Sequence, residues 1–76
     1  MDRFTAIGAF IAVSDLNGFA PAARKLGVST SAITRHVSAL EERLGVRLLN
    51  RTTRAVSLTD AGLRFLERSR RIMADL

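Results

Sequence analysis

The run from Phe4 to Val13 is almost wholly apolar, and Phe4, Ile7, Phe10, Ile11 and Val13 spread over more than one face of a helix. That spread predicts a buried first helix over about residues 2–16 that contacts two other elements. Asn17-Gly18 breaks it. A second helix is expected from residues 19–20, with Pro21 in its first turn, where the missing N–H has no intrahelical partner. Gly27 falls where that helix must end with positive φ, and Leu26 and Val28 flank it as apolar anchors. Ser29 is a good N-cap for a third helix over about 30–44. On it Ile33, Val37, Leu40 and Leu44 fall in a narrow apolar stripe, with Ser31, Thr34, Arg35, Ser38 and Glu42 on the opposite side. Gly45 closes it.

The period then changes. Residues 46–49 and 55–58 read as two short strands around the polar turn Asn50-Arg51-Thr52-Thr53-Arg54, a hairpin over about 46–58. Thr59 caps a last helix running to the chain end. Its apolar stripe is Ala61, Phe65, Leu66, Ile72, Met73 and Leu76, and Glu67 can pair with Arg71 at i, i+4. At 1.5 Å per residue such a helix is roughly 27 Å long, enough to outrun a small body. The expectation is a homodimer through Phe65, Leu66, Ile72, Met73 and Leu76. The alternative is a terminal helix folded back on its own core.

Residues 19–38 have the spacing of a helix-turn-helix, with Ala23 small where two helices cross closely. Short polar groups and one arginine on the N-terminal half of the third helix suit the DNA major groove, where they fit closely and exchange hydrogen bonds with base edges. An ordinary solvated face would carry longer Lys and Glu side chains. Glu41 and Glu42 come late, beyond the groove. After a helix-turn-helix the hairpin reads as a wing, with Arg51 and Arg54 placed to lie along a backbone or in a minor groove. The expected fold is mainly α: a three-helix core with a short β-hairpin wing, a winged helix-turn-helix, followed by a long C-terminal helix.

Composition restricts the chemistry. Seventy-six residues with 47% hydrophobic content allow one small core but not a deep substrate pocket as well. No cysteine and a single histidine, His36, leave no expected metal site, cofactor site or catalytic constellation, so an enzyme is the weakest reading. The net charge is +5, and residues 24–54 alone carry seven bases against Glu41 and Glu42. Eleven of the twelve bases are arginine, whose planar fork grips phosphates and guanine edges bidentately. The partner this favours is a polyanion, although a merely solubilising surface is the plainer alternative. The apolar run at 4–13 is bracketed by Asp2, Arg3 and Asp15 and is far short of the ~20 residues of a membrane span. It also lacks the positive flank of a signal peptide, so cytoplasmic residence is expected.

Taken together, Phe19, Ala22-Ala23, Leu26-Gly27-Val28-Ser29, Ser31-Ala32-Ile33, Arg35, Val37, Ala39-Leu40-Glu41, Leu44-Gly45-Val46, Leu48-Leu49, Arg51, Arg54, Val56, Leu58-Thr59 and Ala61-Gly62 resemble the N-terminal DNA-binding domain of LysR-type bacterial transcriptional regulators. The resemblance covers essentially the whole chain. It implies a DNA-binding domain over 1–59 and a linker helix over 60–76 that pairs in a dimer. It further implies binding to interrupted palindromic promoter DNA and regulation by a small-molecule inducer through an effector-binding domain absent from these residues. By position, base readout falls on Thr30, Ser31, Thr34, Arg35 and Ser38, and backbone or minor-groove contacts on Arg51, Arg54, Pro21 and His36. The chain departs from the family's common pattern at Gly18, where a capping serine is usual, and at Ala20, where a threonine often reaches phosphate. Thr30 and His36 each replace a frequent glutamine, and Thr34 a frequent serine. Two other readings stay open: a winged-helix repressor of another kind, and a protein-interaction module docking through its terminal helix.

Overall fold

The computed structural model describes residues 3–51 and 56–75. The chain runs α1 (Arg3–Leu16), α2 (Phe19–Leu26), α3 (Thr30–Leu44), β1 (Leu49–Arg51), β2 (Val56–Leu58) and α4 (Asp60–Ala74). α1 is the central beam and touches α2, α3, β2 and α4, two elements more than its apolar spread required. Ala6, Ala9, Phe10, Ala12 and Val13 are its buried positions. They meet Ala22 and Ala23 of α2, Ile33, Val37 and Leu40 of α3, and Leu48, Leu49 and Leu66 in one continuous core. Alanines at the crossings let the helices approach closely, and the Phe10 and Phe65 rings, 5.6 Å apart and tilted at 53°, fill the space towards α4.

Local chemistry ends each element. Asn17 takes the left-handed conformation (φ 56°) after α1, and the Gly18 N–H returns to the Val13 carbonyl. Gly27 and Gly45 terminate α2 and α3 with φ of 72° and 71°. At both ends the following valine N–H reaches back to the fourth-last helical carbonyl, Val28 to Ala23 and Val46 to Glu41. Ser29 accepts from the Ala32 N–H at 3.1 Å and Thr59 from the Gly62 N–H at 2.9 Å, so both fifteen-residue helices start on a hydroxyl cap.

Two expectations need correction. The first strand is not 46–49 but begins at Leu49, in antiparallel register Leu49↔Leu58, Asn50↔Ser57, Arg51↔Val56. Val46 is taken up by the helix termination, and Arg47 and Leu48 are held by Thr59, whose hydroxyl donates to the Arg47 carbonyl and whose N–H donates to that of Leu48. Asn50 and Arg51 therefore lie in the strand rather than in the turn, while Thr52, Thr53, Arg54 and Ala55 lie outside the described residues. The second correction concerns the apolar anchors. Leu26, Val28 and Leu44 are exposed, each at or just past a helix end, where the glycine turn carries the chain beyond the cover of the core. α4 packs on the body along its first three turns. Gly62, Leu66 and Ser69 are buried against the protomer's own core, and Arg70 pairs with Asp15 at the end of α1.

Candidate DNA interface

α2, the Gly27 turn and α3 form a rigid corner, and α3 presents one face of it outward. Thr30, Ser31 and Arg35 are exposed, and Thr34 and Ser38 are half-buried at its edge. At 100° per residue these five fall within an arc of about 140°, one on or near each successive turn. Their hydrogen bonding leaves acceptor capacity outward. The Thr34 hydroxyl donates to the Thr30 carbonyl at 3.1 Å, which leaves its lone pairs free to accept. Ser31 lies 3.3 Å from the capping Ser29 hydroxyl. Arg35 is exposed and, among the described residues, makes no ion pair. Hydroxyls and a guanidinium of this kind are the groups that read base edges.

The remaining expected contacts are placed differently. Pro21 is half-buried in the first turn of α2, beneath Gly18, which caps that helix with extended backbone (φ 174°) and no side-chain bond. His36 is turned from the outer face of α3 and lines an apolar groove with Phe4, Gly8, Leu26, Val28 and Ile33. Arg54 lies outside the described residues. Arg51 is drawn back onto the body: its Nη2 donates to Glu41 Oε1 at 3.0 Å and lies 3.5 Å from Ser38 Oγ, and its guanidinium carbon stands 4.9 Å from the Phe19 ring centroid.

Glu41 was not singled out as a site residue, yet it organises this corner. Its carboxylate accepts the Leu48 and Leu49 N–H groups at 2.8 and 3.2 Å, and its backbone carbonyl accepts those of Gly45 and Val46. Nothing local marks it, since Glu42 beside it is exposed. Of the expected dimer residues, Leu66 lies in the core and Phe65 against Phe10, while Met73 is half-buried. Ile72 is 47% exposed, and Leu76 lies outside the described residues. Among the described residues no group of three or more His, Cys, Asp or Glu side chains could hold a metal ion, and no helix is long and apolar enough to cross a membrane.

Three packed helices, a glycine-turned pair with a polar outer helix, and a two-stranded hairpin define a winged helix-turn-helix. Residues 4–63 match the family of bacterial regulatory helix-turn-helix proteins, lysR family. The chain belongs to that family, one of transcriptional regulators and not of enzymes. It is 47% identical over 68 residues to an HTH-type transcriptional repressor of Pseudomonas aeruginosa (strain UCBPP-PA14), covering 90% of this chain and 22% of the relative. It is 40% identical over 76 residues to the HTH-type transcriptional activator AaeR of Escherichia coli (strain K12), covering the whole chain and 25% of that protein. The chain thus spans about a quarter of the length of these relatives. Among solved structures, the CbnR_DBD–DNA complex matches with a TM-score of 0.92 at 47% identity, covering 97% of this chain and 84% of that one.

Proposed function

We propose that this chain binds double-stranded promoter DNA in a sequence-specific manner, as the DNA-reading segment of a LysR-type transcriptional regulator. α3 lies in the major groove, with Thr30, Ser31, Thr34, Arg35 and Ser38 towards the bases, and the wing lies over the adjacent backbone. The observation that carries this reading is the outer face of α3, a capped helix on which Thr30, Ser31 and Arg35 are exposed, with Thr34 and Ser38 half-buried beside them and Arg35 in no ion pair among the described residues. The net +5 charge and the likeness to CbnR, whose DBD was solved as a DNA complex, support it. Pro21, at the start of α2, is placed for a backbone contact. The same proposal includes a homodimer through α4, where Ile72 is left outward, and cytoplasmic residence on nucleoid DNA. A small-molecule inducer would act on an effector-binding domain separate from these residues.

Selection of bound sequences from a random duplex pool tests the reading. It should yield paired half-sites, bound with affinity that falls log-linearly as salt rises. Arg35→Ala should weaken the selected site by about 1–3 kcal/mol while leaving random duplex little changed. Salt-independent binding, or failure to enrich any sequence, would sink the proposal. Equal losses on selected and random DNA would make Arg35 a phosphate contact.

A further inference from the structure

We propose that Glu41 and Arg51 form a clamp that fixes the wing against α2 and α3, so that Arg51 serves DNA reading as a positioning residue rather than as a phosphate contact. This rests on the DNA-reading proposal above. Arg51 is the last residue of β1. Its guanidinium reaches the carboxylate of Glu41 and the hydroxyl of Ser38 on α3, and it covers the ring of Phe19, the first residue of α2. One side chain therefore ties the wing to both helices of the DNA-reading corner. The planar fork suits this double duty, donating in its plane and stacking with its face.

Glu41 completes the link. One carboxylate oxygen holds the Leu48 and Leu49 N–H groups and the other holds Arg51, so the approach to the wing and its first strand hang on a single side chain of α3. The Glu41 side chain is 14% exposed and that of Arg51 29%. For Arg51 to grip a phosphate it would have to leave a carboxylate that water hardly reaches, beside a polyanion that repels it. A half-buried charge stripped of its partner is strongly unfavourable. The pair is stable as an internal tie.

Glu41→Gln separates the two roles by sign. The amide oxygen still accepts from Leu48 and Leu49, but the NH2 group now faces Arg51 and the tie is lost. If Arg51 positions the wing, affinity for the selected duplex falls, on the order of tenfold for a coupled pair. If Arg51 is a phosphate contact restrained by Glu41, freeing it and removing a negative charge raises affinity. Arg51→Gln should weaken the same duplex with an unchanged log–log salt slope, and the double variant should bind no worse than either single one. A slope reduced by about 0.9 would show one lost phosphate contact and overturn the proposal. Hydrogen exchange of the Asn50 and Ser57 amides in the free chain should speed up in Arg51→Gln, and unchanged exchange would also overturn it. That measurement stands if Glu41→Gln does not fold. If the unaltered chain binds no duplex, the DNA-reading proposal fails and the clamp's part in it fails too; a rise in affinity in Glu41→Gln, with normal binding by the unaltered chain, overturns the clamp alone.

Discussion

Leu-Gly-Val occurs twice, at 26–28 and 44–46, and the two copies end α2 and α3 in nearly the same way. The glycines take φ, ψ of 72°, 33° and 71°, 20°, and the flanking leucines and valines are all between 42% and 45% exposed. Yet the first turn leads into a helix and the second into a strand. The difference lies in the residues that follow. Ser29 caps the next helix at once, offering its oxygen to Ala32. Arg47 has no such oxygen, and the Leu48 and Leu49 N–H groups are taken by the Glu41 carboxylate, which holds the chain extended. Thr59 and Gly62 then seal that extended segment from the far side. A glycine turn decides where a helix stops, and the next hydrogen-bond acceptor decides what comes after it.

The seal on the second turn is the easiest part to break. A Cβ on Gly62 would stand 2.0 Å from the Leu48 carbonyl oxygen and 2.9 Å from its carbon. Backbone atoms held on both sides cannot yield, so Gly62→Ala should destabilise the fold by about 3 kcal/mol, read from a urea melt. A loss under about 1 kcal/mol would show that Leu48 moves freely and that the downstream seal does not fix the second turn. The first turn has no such seal and leans on its cap. Ser29→Ala should therefore cost about 1 kcal/mol in thermal unfolding followed by helical circular dichroism. An unchanged melt would mean that packing of Ile33 and Val37, rather than the cap, starts α3.

The same contrast explains what could be read from residues alone. Ser29, Thr59, Gly27 and Gly45 act within a few positions of themselves, so the helix starts and stops were legible. The apolar period also placed Ile33, Val37 and Leu40 inside and the Thr30–Arg35 face outside. The first strand was set two to three residues early because its bounds depend on Glu41, seven and eight residues upstream of the amides it holds, and on Thr59, twelve residues beyond Arg47. Such partners leave no local pattern. Arg51 was visible as a basic residue near a hairpin turn, but the ring of Phe19 and the carboxylate of Glu41 meet it only once the chain has folded. Exposure at Leu26, Val28 and Leu44 was hidden for a related reason: an apolar period marks a face of the helix but not which of its end positions the rest of the fold covers.

The finest test concerns the turns themselves. Neither Gly27 nor Gly45 has any atom within 4 Å of an added Cβ, so alanine meets only the penalty of a positive φ. That penalty is roughly 1–2 kcal/mol, offset by about 0.4–1 kcal/mol from the lost freedom of glycine in the unfolded chain. Gly27→Ala and Gly45→Ala should therefore each destabilise by about 0.5–1 kcal/mol in matched urea melts, and the two losses should agree within experimental error. A larger loss at Gly45 would assign part of the turn's stability to the contacts around Glu41, because a shift there also disturbs the residue whose carboxylate holds the Leu48 and Leu49 N–H groups. Equal losses would show that the two Leu-Gly-Val turns are the same device, and that helix or strand is chosen wholly by the oxygen that waits downstream or alongside.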